Sequence, residues 1–342
     1  MTVTTTETYF DFSIHGNAVR YAATSQCLKD PVTALMRYFR VESCHEELPI
    51  TIRFHAVVRK EEIPVAIPST AVSLFEKLVP VLTRDVQSTW RCEVLRDGLN
   101  LIVNWGDEGF VIINDDAGSA EGYLVSPDKM HEDIIATYFH MTLSLLLKRR
   151  GLYSIHATAL EKDGRGILIP GYSGRGKTTT FVSLLRSGYR YLSDDHPFIR
   201  DNGIYVEALS FPMKIDVTEP TIQFFPELRN AQVGMLRPSL RKRYFYAEEM
   251  YQASVGARCK PAMILFPHVV DSPHSCLEPL PKGRAMELLM PQGLLVYDQV
   301  VAKREFQTLA KMVQQTDCYR LHFGRDVLEL PGLITPVLTA GT

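Results

Sequence analysis

One short segment of the sequence combines residue types that bind phosphate groups. Residues 171–178 run Gly-Tyr-Ser-Gly-Arg-Gly-Lys-Thr and fit the phosphate-loop pattern of a glycine, four residues and then Gly-Lys-Ser/Thr. The glycines allow main-chain N–H groups to turn inward and cradle an anion. The Lys177 ammonium can reach the outer phosphates of a nucleotide, and the Thr178 hydroxyl can bind Mg²⁺. A plain glycine turn between a strand and a helix does not account for this Lys-Thr pair. The segment therefore predicts a nucleotide site with the candidate residues Gly171, Ser173, Gly174, Arg175, Gly176, Lys177, Thr178 and Thr179.

A pair of carboxylates follows the loop. Asp194 and Asp195 come directly after 189–193, a segment with the composition of a short strand. Ligands of α/β sheets gather at the carboxyl ends of strands. Two adjacent carboxylates there can divide the chemistry, one binding a metal ion and the other acting as a base, and the sequence does not decide which does which. A solvated Asp-Asp turn is the structural alternative. We take Thr178 and Asp194 as candidate metal ligands and both aspartates as candidate catalytic residues.

The elements that must position these residues are two strands and a helix. Residues 166–170 form a short apolar strand that leads into the loop, and 178–186 carries apolar residues at helical spacing. Gly188 suits the position just after the end of that helix. A strand at 153–161 precedes the loop strand and carries His156 among apolar neighbours. A lone strand histidine is more often a core or surface residue than a functional one.

Together these residues resemble the bacterial HPr kinase/phosphorylase family and its smaller relatives, the HPr kinase-like proteins. The matching residues are Ile155-His156, Gly171 to Thr178 and Leu192-Ser193-Asp194-Asp195. The 17-residue step from Lys177 to Asp194 is also similar to the family. A further segment, 277–289, resembles the C-terminal part of HPr kinase-like proteins. The resemblance covers roughly residues 150–295.

The resemblance implies an α/β fold, with a P-loop kinase domain of the HPr kinase/PEP carboxykinase-like type and a strongly bent mixed sheet. It places His156 near the reacting phosphate, so His156 and Lys177 join Asp194 and Asp195 as candidate catalytic residues. The implied activity is ATP-dependent, Mg²⁺-assisted phosphoryl transfer to a serine hydroxyl of a protein or peptide. The acceptor would be an HPr-like protein or a ribosomal peptide precursor, since some HPr kinase-like proteins phosphorylate a serine of ribosomal peptides, including lasso peptides. A homo-oligomer is possible, because HPr kinases are hexamers.

Other proteins with a phosphate loop carry motifs that this sequence lacks. It has no Asn-Lys-x-Asp segment, which disfavours a GTPase, and no Leu-Ser-Gly-Gly segment, which disfavours a transporter ATPase. ATP-utilising phosphoenolpyruvate carboxykinases share a similar loop and aspartate pair but are considerably longer. The main alternative is a non-catalytic ATP-binding regulator or scaffold. The intact Lys177, Thr178 and aspartate pair favour the kinase.

The composition predicts a cytoplasmic protein without nucleic-acid or membrane partners. A formal net charge of −2 gives no electrostatic basis for binding a polyanion. The six cysteines are scattered without a Cys-x-x-Cys pair, which is typical of reduced thiols in a cytoplasm. The N-terminus lacks the basic and apolar regions of a signal peptide. The best apolar stretch, 134–147, is interrupted by polar residues and is too short to span a bilayer.

The length of 342 residues suits two domains, and we expect the junction near residue 125. Residues 1–125 predict a mixed β-rich module, with a hairpin over 8–24 that turns at Gly16-Asn17 and a helix over 69–82. The module carries no clear catalytic motif, and substrate recognition is its possible role.

A helix start is predicted just after the expected junction. Ser126-Pro127-Asp128 offers a capping serine, a proline at the first helical position and an acid in the first turn. The helix is expected to run to Arg149-Arg150, with Gly151 as its stop. Residues 126–342 are the expected catalytic domain.

Overall fold

The computed structural model describes residues 8–43, 49–82, 87–172, 174–237, 240–251, 255–293 and 298–340. The chain forms two compact units, Met1–Arg150 and Gly151–Thr342. Within the described ranges, no helix is both long enough and apolar enough to cross a membrane.

In the described residues, the N-terminal unit is a mixed sheet with two α-helices. Its strands are Thr8–Ile14 (β1), Asn17–Ala23 (β2), Arg40–Val41 (β3), Ile50–Val57 (β4), Val72–Leu82 (β5), Gln87–Asp97 (β6), Asn100–Asn104 (β7), Gly109–Asn114 (β8) and Ser119–Val125 (β9). Its helices are Gln26–Leu35 (α1) and Glu132–Arg149 (α2). The strand order is β3-β1-β2-β4-β9-β8-β7-β6-β5, and β2, β4 and β9 run parallel to one another.

Local sequence signals predict the first hairpin but not the fifth strand. The hairpin over 8–24 forms, with Ile14 opposite Asn17 and the turn at His15-Gly16, one residue earlier than expected. Both turn residues have positive φ, 50° and 87°, as the tight turns that suit twisted strands require. The helix expected over 69–82 is wrong, because 72–82 is β5 and pairs with β6 along its length. Cross-strand pairing overrides the apparent helical spacing there, as strand preference depends on context.

The predicted helix after the junction starts later than expected. Ser126 has φ 47°, and its hydroxyl donates to the carbonyl oxygen of Val58 (3.0 Å) instead of capping a helix. A single 3₁₀ turn follows, and α2 begins at Glu132. The helix ends at Arg149, and Gly151 follows with φ 77°, close to the expected end.

Helix α2 packs on the N-terminal sheet, which moves the division between units from residue 125 to residue 150. The Phe139 ring lies edge-on to Tyr21 at a centroid distance of 5.1 Å, and Tyr138 stacks on Trp105 at 3.9 Å. All four side chains are buried. Aromatic pairs of this kind add to the stabilisation from burial, so α2 belongs to the first unit.

The C-terminal unit is a mixed α/β unit. Its strands are Tyr153–Ser154 (β10), Ala157–Lys162 (β11), Arg165–Pro170 (β12), Arg190–Ser193 (β13), Phe198–Asp201 (β14), Val206–Leu209 (β15), Ile215–Thr218 (β16), Gln232–Arg237 (β17), Leu240–Phe245 (β18), Arg258–Val269 (β19), Cys276–Pro279 (β20) and Asp317–Phe323 (β21). Its helices are Lys177–Arg186 (α3), Glu219–Phe224 (α4), Ala247–Met250 (α5), Lys282–Leu289 (α6), Gln299–Gln315 (α7) and Leu330–Ala340 (α8).

The main sheet of this unit has the order β10-β14-β15-β19-β12-β11-β13. Strand β21 pairs in parallel with the second half of β19, and β20 pairs with β21. Strands β16, β18 and β17 form a separate antiparallel sheet.

Both faces of the main sheet are covered, and the alternation of side chains along β12 shows how. Ile167 and Ile169 pack with residues of α3 and α8, whereas Leu168 packs with residues of α6 and α7. Successive strand residues point to opposite faces of a sheet. The continuous apolar run of β12 therefore contributes side chains to two hydrophobic cores, one on each face. The strand that leads into the phosphate loop is thereby fixed from both sides.

Candidate functional site

Three chain segments meet at one edge of the C-terminal sheet. Strands β12 and β13 both run antiparallel to β11, which lies between them. The carboxyl ends of β12 and β13 therefore lie beside the start of β11. The phosphate loop follows β12, the aspartate pair follows β13, and His156 directly precedes β11.

The phosphate loop has the conformation that its glycines allow. Gly174 and Gly176 have φ 82° and 93°, where an L residue would be strained. Helix α3 begins at Lys177, and its first turn contains no acidic residue. A Cβ added at Gly174 would meet no atom within 4 Å, so this part of the loop borders open space. The positive end of a helix dipole and unshielded N–H groups are the donor set that binds phosphate.

Lys177, His156 and Asp195 form the centre of the site. The Lys177 ammonium nitrogen lies 2.8 Å from His156 Nε2 and 3.2 Å from Asp195 Oδ1. His156 Nε2 is also 2.8 Å from Asp195 Oδ1. Lys177 is only 7% exposed. The structure thus brings together three of the four predicted catalytic side chains, in direct contact with one another.

The electrostatics of this cluster favour an ionised aspartate. Burial acts to raise the pKa of Asp195, but His156, His196 and Lys177 around the carboxylate outweigh it and hold that pKa well below its usual range. His196 Nε2 lies 3.6 Å from Asp195 Oδ2. Burial lowers the pKa of His196, although Asp195 opposes this effect. Asp195 is therefore a carboxylate, and it accepts a hydrogen bond from Lys177.

The main chain of the aspartate turn is held by the segment around His156. The Thr158 hydroxyl donates to the carbonyl oxygen of Asp194 at 2.6 Å. The N–H of Ala157 donates to the carbonyl oxygen of Asp195 at 3.2 Å, and that of Ile155 to the carbonyl oxygen of Pro197 at 3.1 Å. Three hydrogen bonds from one short segment therefore hold the main chain that carries both aspartates beside His156.

A Thr158→Val variant should separate this positioning from overall stability. Valine keeps the shape of the buried threonine but removes the donor to Asp194, so we expect a loss of about 1 kcal/mol in unfolding free energy. The rate of any phosphoryl transfer should fall by more than the lower stability explains, because a small misplacement of the reacting groups slows the reaction strongly. Thr308→Val is the matched control, since among the described residues the buried Thr308 bonds within α7, to the Arg304 carbonyl. Equal activity in both variants would contradict the positioning role.

The remaining predicted residues lie around this centre. Thr178 is the second residue of α3 and Asp194 directly precedes Asp195, and both are half-buried. Arg175 is exposed in the loop, and the Thr179 hydroxyl lies 3.1 Å from that of Thr221 on α4. Ser173 lies outside the described residues.

Two residues that contact the site were not identified from the sequence. Gln292, which lies 136 positions after His156, places its side-chain Oε1 3.2 Å from His156 Nδ1. Thr158 is an ordinary strand threonine in the sequence, yet it holds the aspartate turn. Gln292 lies within the range of the family resemblance but outside its matching residues, so no local signal marked it.

Another group of side chains could in principle hold a cation. His274, Asp326 and Glu329 offer ligand atoms within 4.8 Å of one another and line a cavity of about 340 Å³. His274 and Glu329 are exposed, and Asp326 already accepts hydrogen bonds from the main-chain N–H and the hydroxyl of Ser275. We assign no metal to this group.

Comparisons with known proteins add little to this geometry. No family model matches the chain, and no curated protein does. Among solved structures, the chain is similar to the HPr(Ser) kinase/phosphatase from Coxiella burnetii, with 12% sequence identity and a TM-score of 0.29. The match covers 55% of this chain and 94% of that one.

Proposed function

We propose that the protein is an ATP-dependent kinase that transfers a phosphoryl group to a serine hydroxyl of a protein or peptide. The observation that carries the proposal is the contact of Lys177, at the end of the phosphate loop, with Asp195 and His156. A phosphate-binding lysine within 3.2 Å of a carboxylate joins the binding group and a candidate base in one site. The protein or peptide acceptor follows from the resemblance of these residues to HPr kinase-like proteins.

The residues fit Mg·ATP. The positive-φ glycines, the open N-terminus of α3 and Lys177 supply donors for the phosphates. Thr178 and Asp194 supply the oxygen ligands that Mg²⁺ prefers. The bound metal ion would neutralise charge on the phosphates during transfer.

Each residue of the central cluster has a proposed task. Lys177 would leave Asp195 to bind the outer phosphates, and this movement removes the positive charge that lowers the proton affinity of Asp195. Asp195 would then accept the proton of the acceptor hydroxyl, as a general base does. His156 would remain beside Asp195, with Nε2 2.8 Å from Asp195 Oδ1. In this assignment Asp194 binds the metal ion. The alternative to test is the reverse, with Asp194 as the base and Asp195 as the metal ligand.

The test is transfer to a defined acceptor. The purified protein would be incubated with Mg·ATP and a panel of HPr and of small peptides encoded near its gene, and intact mass would be read for an added phosphate. We expect a gain on one acceptor that is absent with Lys177→Ala, which removes the phosphate-binding ammonium. ATP binding without transfer to any member of a complete panel would favour the non-catalytic regulator.

A further inference from the structure

We propose that Gln292 is a positioning residue: it decides which ring nitrogen of His156 carries a proton and leaves Nε2 as the acceptor at the centre of the site. The catalytic consequence of this inference rests on the proposed function, whereas the protonation pattern rests on geometry alone. Gln292 ends the 3₁₀ turn Met290–Gln292 and is 7% exposed. Most polar side-chain atoms that are buried in proteins form at least one hydrogen bond.

Gln292 binds His156 at two points. Its main-chain carbonyl oxygen accepts the N–H of His156 at 2.7 Å. Its side-chain Oε1 lies 3.2 Å from His156 Nδ1. An amide oxygen can only accept a hydrogen bond, so the contact requires a proton on Nδ1. In the neutral ring that proton leaves Nε2 bare.

The contacts at Nε2 agree with this assignment. The Lys177 ammonium, 2.8 Å away, has only donors, whereas the Asp195 carboxylate, also 2.8 Å away, has only acceptors. A single Nε2 cannot accept from Lys177 and donate to Asp195 at the same time. With Nδ1 protonated by the contact with Gln292, the neutral ring accepts from Lys177, and Lys177 also donates to Asp195 at 3.2 Å.

The arrangement prepares His156 for the step that follows nucleotide binding. When Lys177 turns to the phosphates, the Nε2 lone pair loses its donor and lies beside Asp195 Oδ1. Once Asp195 has taken the proton of the acceptor hydroxyl, transfer of that proton to Nε2 gives an imidazolium whose two N–H groups donate to the restored Asp195 carboxylate and to Gln292. A neutral amide supports both forms, whereas a carboxylate in its place would favour the charged ring even before any proton arrives.

The first experiment reads the tautomer directly. The full-length protein labelled with ¹⁵N-histidine would be observed by long-range ¹H–¹⁵N NMR, with the His156 signals identified by their loss in His156→Gln. We expect a protonated Nδ1 and a bare Nε2 in the native protein. Gln292→Leu should shift the ring towards Nε2–H, the form that free imidazole side chains favour, and Gln292→Glu should restore Nδ1–H. A native ring protonated on Nε2, or an unchanged ring in Gln292→Leu, would overturn the proposal.

The second experiment measures the catalytic consequence with the acceptor found by the mass test. Gln292→Leu should lower kcat by about tenfold, the low end of the typical loss when a partner that orients a metal-bound histidine is removed, with KM for ATP unchanged. Gln292→Glu should recover part of the loss. Gln315→Leu is the control, because Gln315 also bridges main-chain groups, at Val206, and should alter neither the tautomer nor kcat. An unchanged kcat in Gln292→Leu would refute the catalytic part. Absence of any transfer by the native protein would refute the proposed function while the NMR result still decides the tautomer.

Discussion

Phosphoryl transfer should fall by about 10²–10⁴-fold when Asp195 is changed to asparagine, because the amide cannot accept the proton of the acceptor hydroxyl. Asparagine has nearly the same volume, so the surrounding main-chain bonds to Ala157 and Thr158 should persist. ATP should bind at least as tightly as before, since Lys177 no longer has a carboxylate to leave. The two quantities would be measured separately, as a single-turnover transfer rate and as an ATP dissociation constant by calorimetry.

The matched control is Asp201→Asn. Asp201 forms an exposed ion pair with Lys311 at 2.6 Å, and such pairs contribute little to stability. This variant should keep both transfer and ATP binding. If Asp195→Asn also kept its transfer rate, Asp195 would not be the base and the division between the two aspartates would have to be reversed. If it lost ATP binding instead, the carboxylate would be needed to assemble the phosphate site.

The largest expected effect on stability comes from Phe181→Ala. Phe181 lies on α3, is fully buried and packs against Tyr191 with a ring-centroid distance of 5.6 Å. Truncation removes buried apolar surface and leaves a cavity, so the free energy of unfolding should fall by about 3–5 kcal/mol. Because α3 begins in the phosphate loop, weaker ATP binding should accompany this loss. Urea denaturation followed by circular dichroism would measure the first effect and calorimetry the second.

Phe306→Ala provides the same chemical change at an exposed position. Phe306 lies on α7 and is 44% exposed. Its truncation should change the free energy of unfolding by no more than about 0.5 kcal/mol, as is usual for surface substitutions. Similar losses in the two variants would mean that Phe181 is not part of a close-packed core.

The sequence was most informative where local chemistry determines local structure. The loop pattern predicted a strand, a glycine-containing turn and a helix after it, and all three are present. The aspartate pair lies at the end of a strand as predicted. These features depend on neighbouring residues, whose preferences are visible within a short window.

Features that depend on distant partners could not be predicted in the same way. The segment 72–82 has apolar spacing compatible with a helix, and only its pairing with β6 makes it a strand. The junction between the units lies at residue 150 instead of 125, because Phe139 and Tyr138 pack against aromatic side chains of the N-terminal sheet that are distant in sequence. Gln292 has no motif, and its contact with His156 exists only in the folded chain.

The long separation between His156 and Gln292 also affects how the site can arise during synthesis. The loop, the aspartate turn and β11 lie within about 40 residues of one another, and they can associate while the C-terminal part of the chain is still being made. The orienting contact joins residues 136 positions apart, so it must wait for the turn at Met290–Gln292 to emerge. Contacts of such high sequence separation form late, because closing a long loop costs entropy before any contact compensates for it. A nascent chain would therefore form the loop at 171–178 and the aspartate turn before the contact between Gln292 and His156.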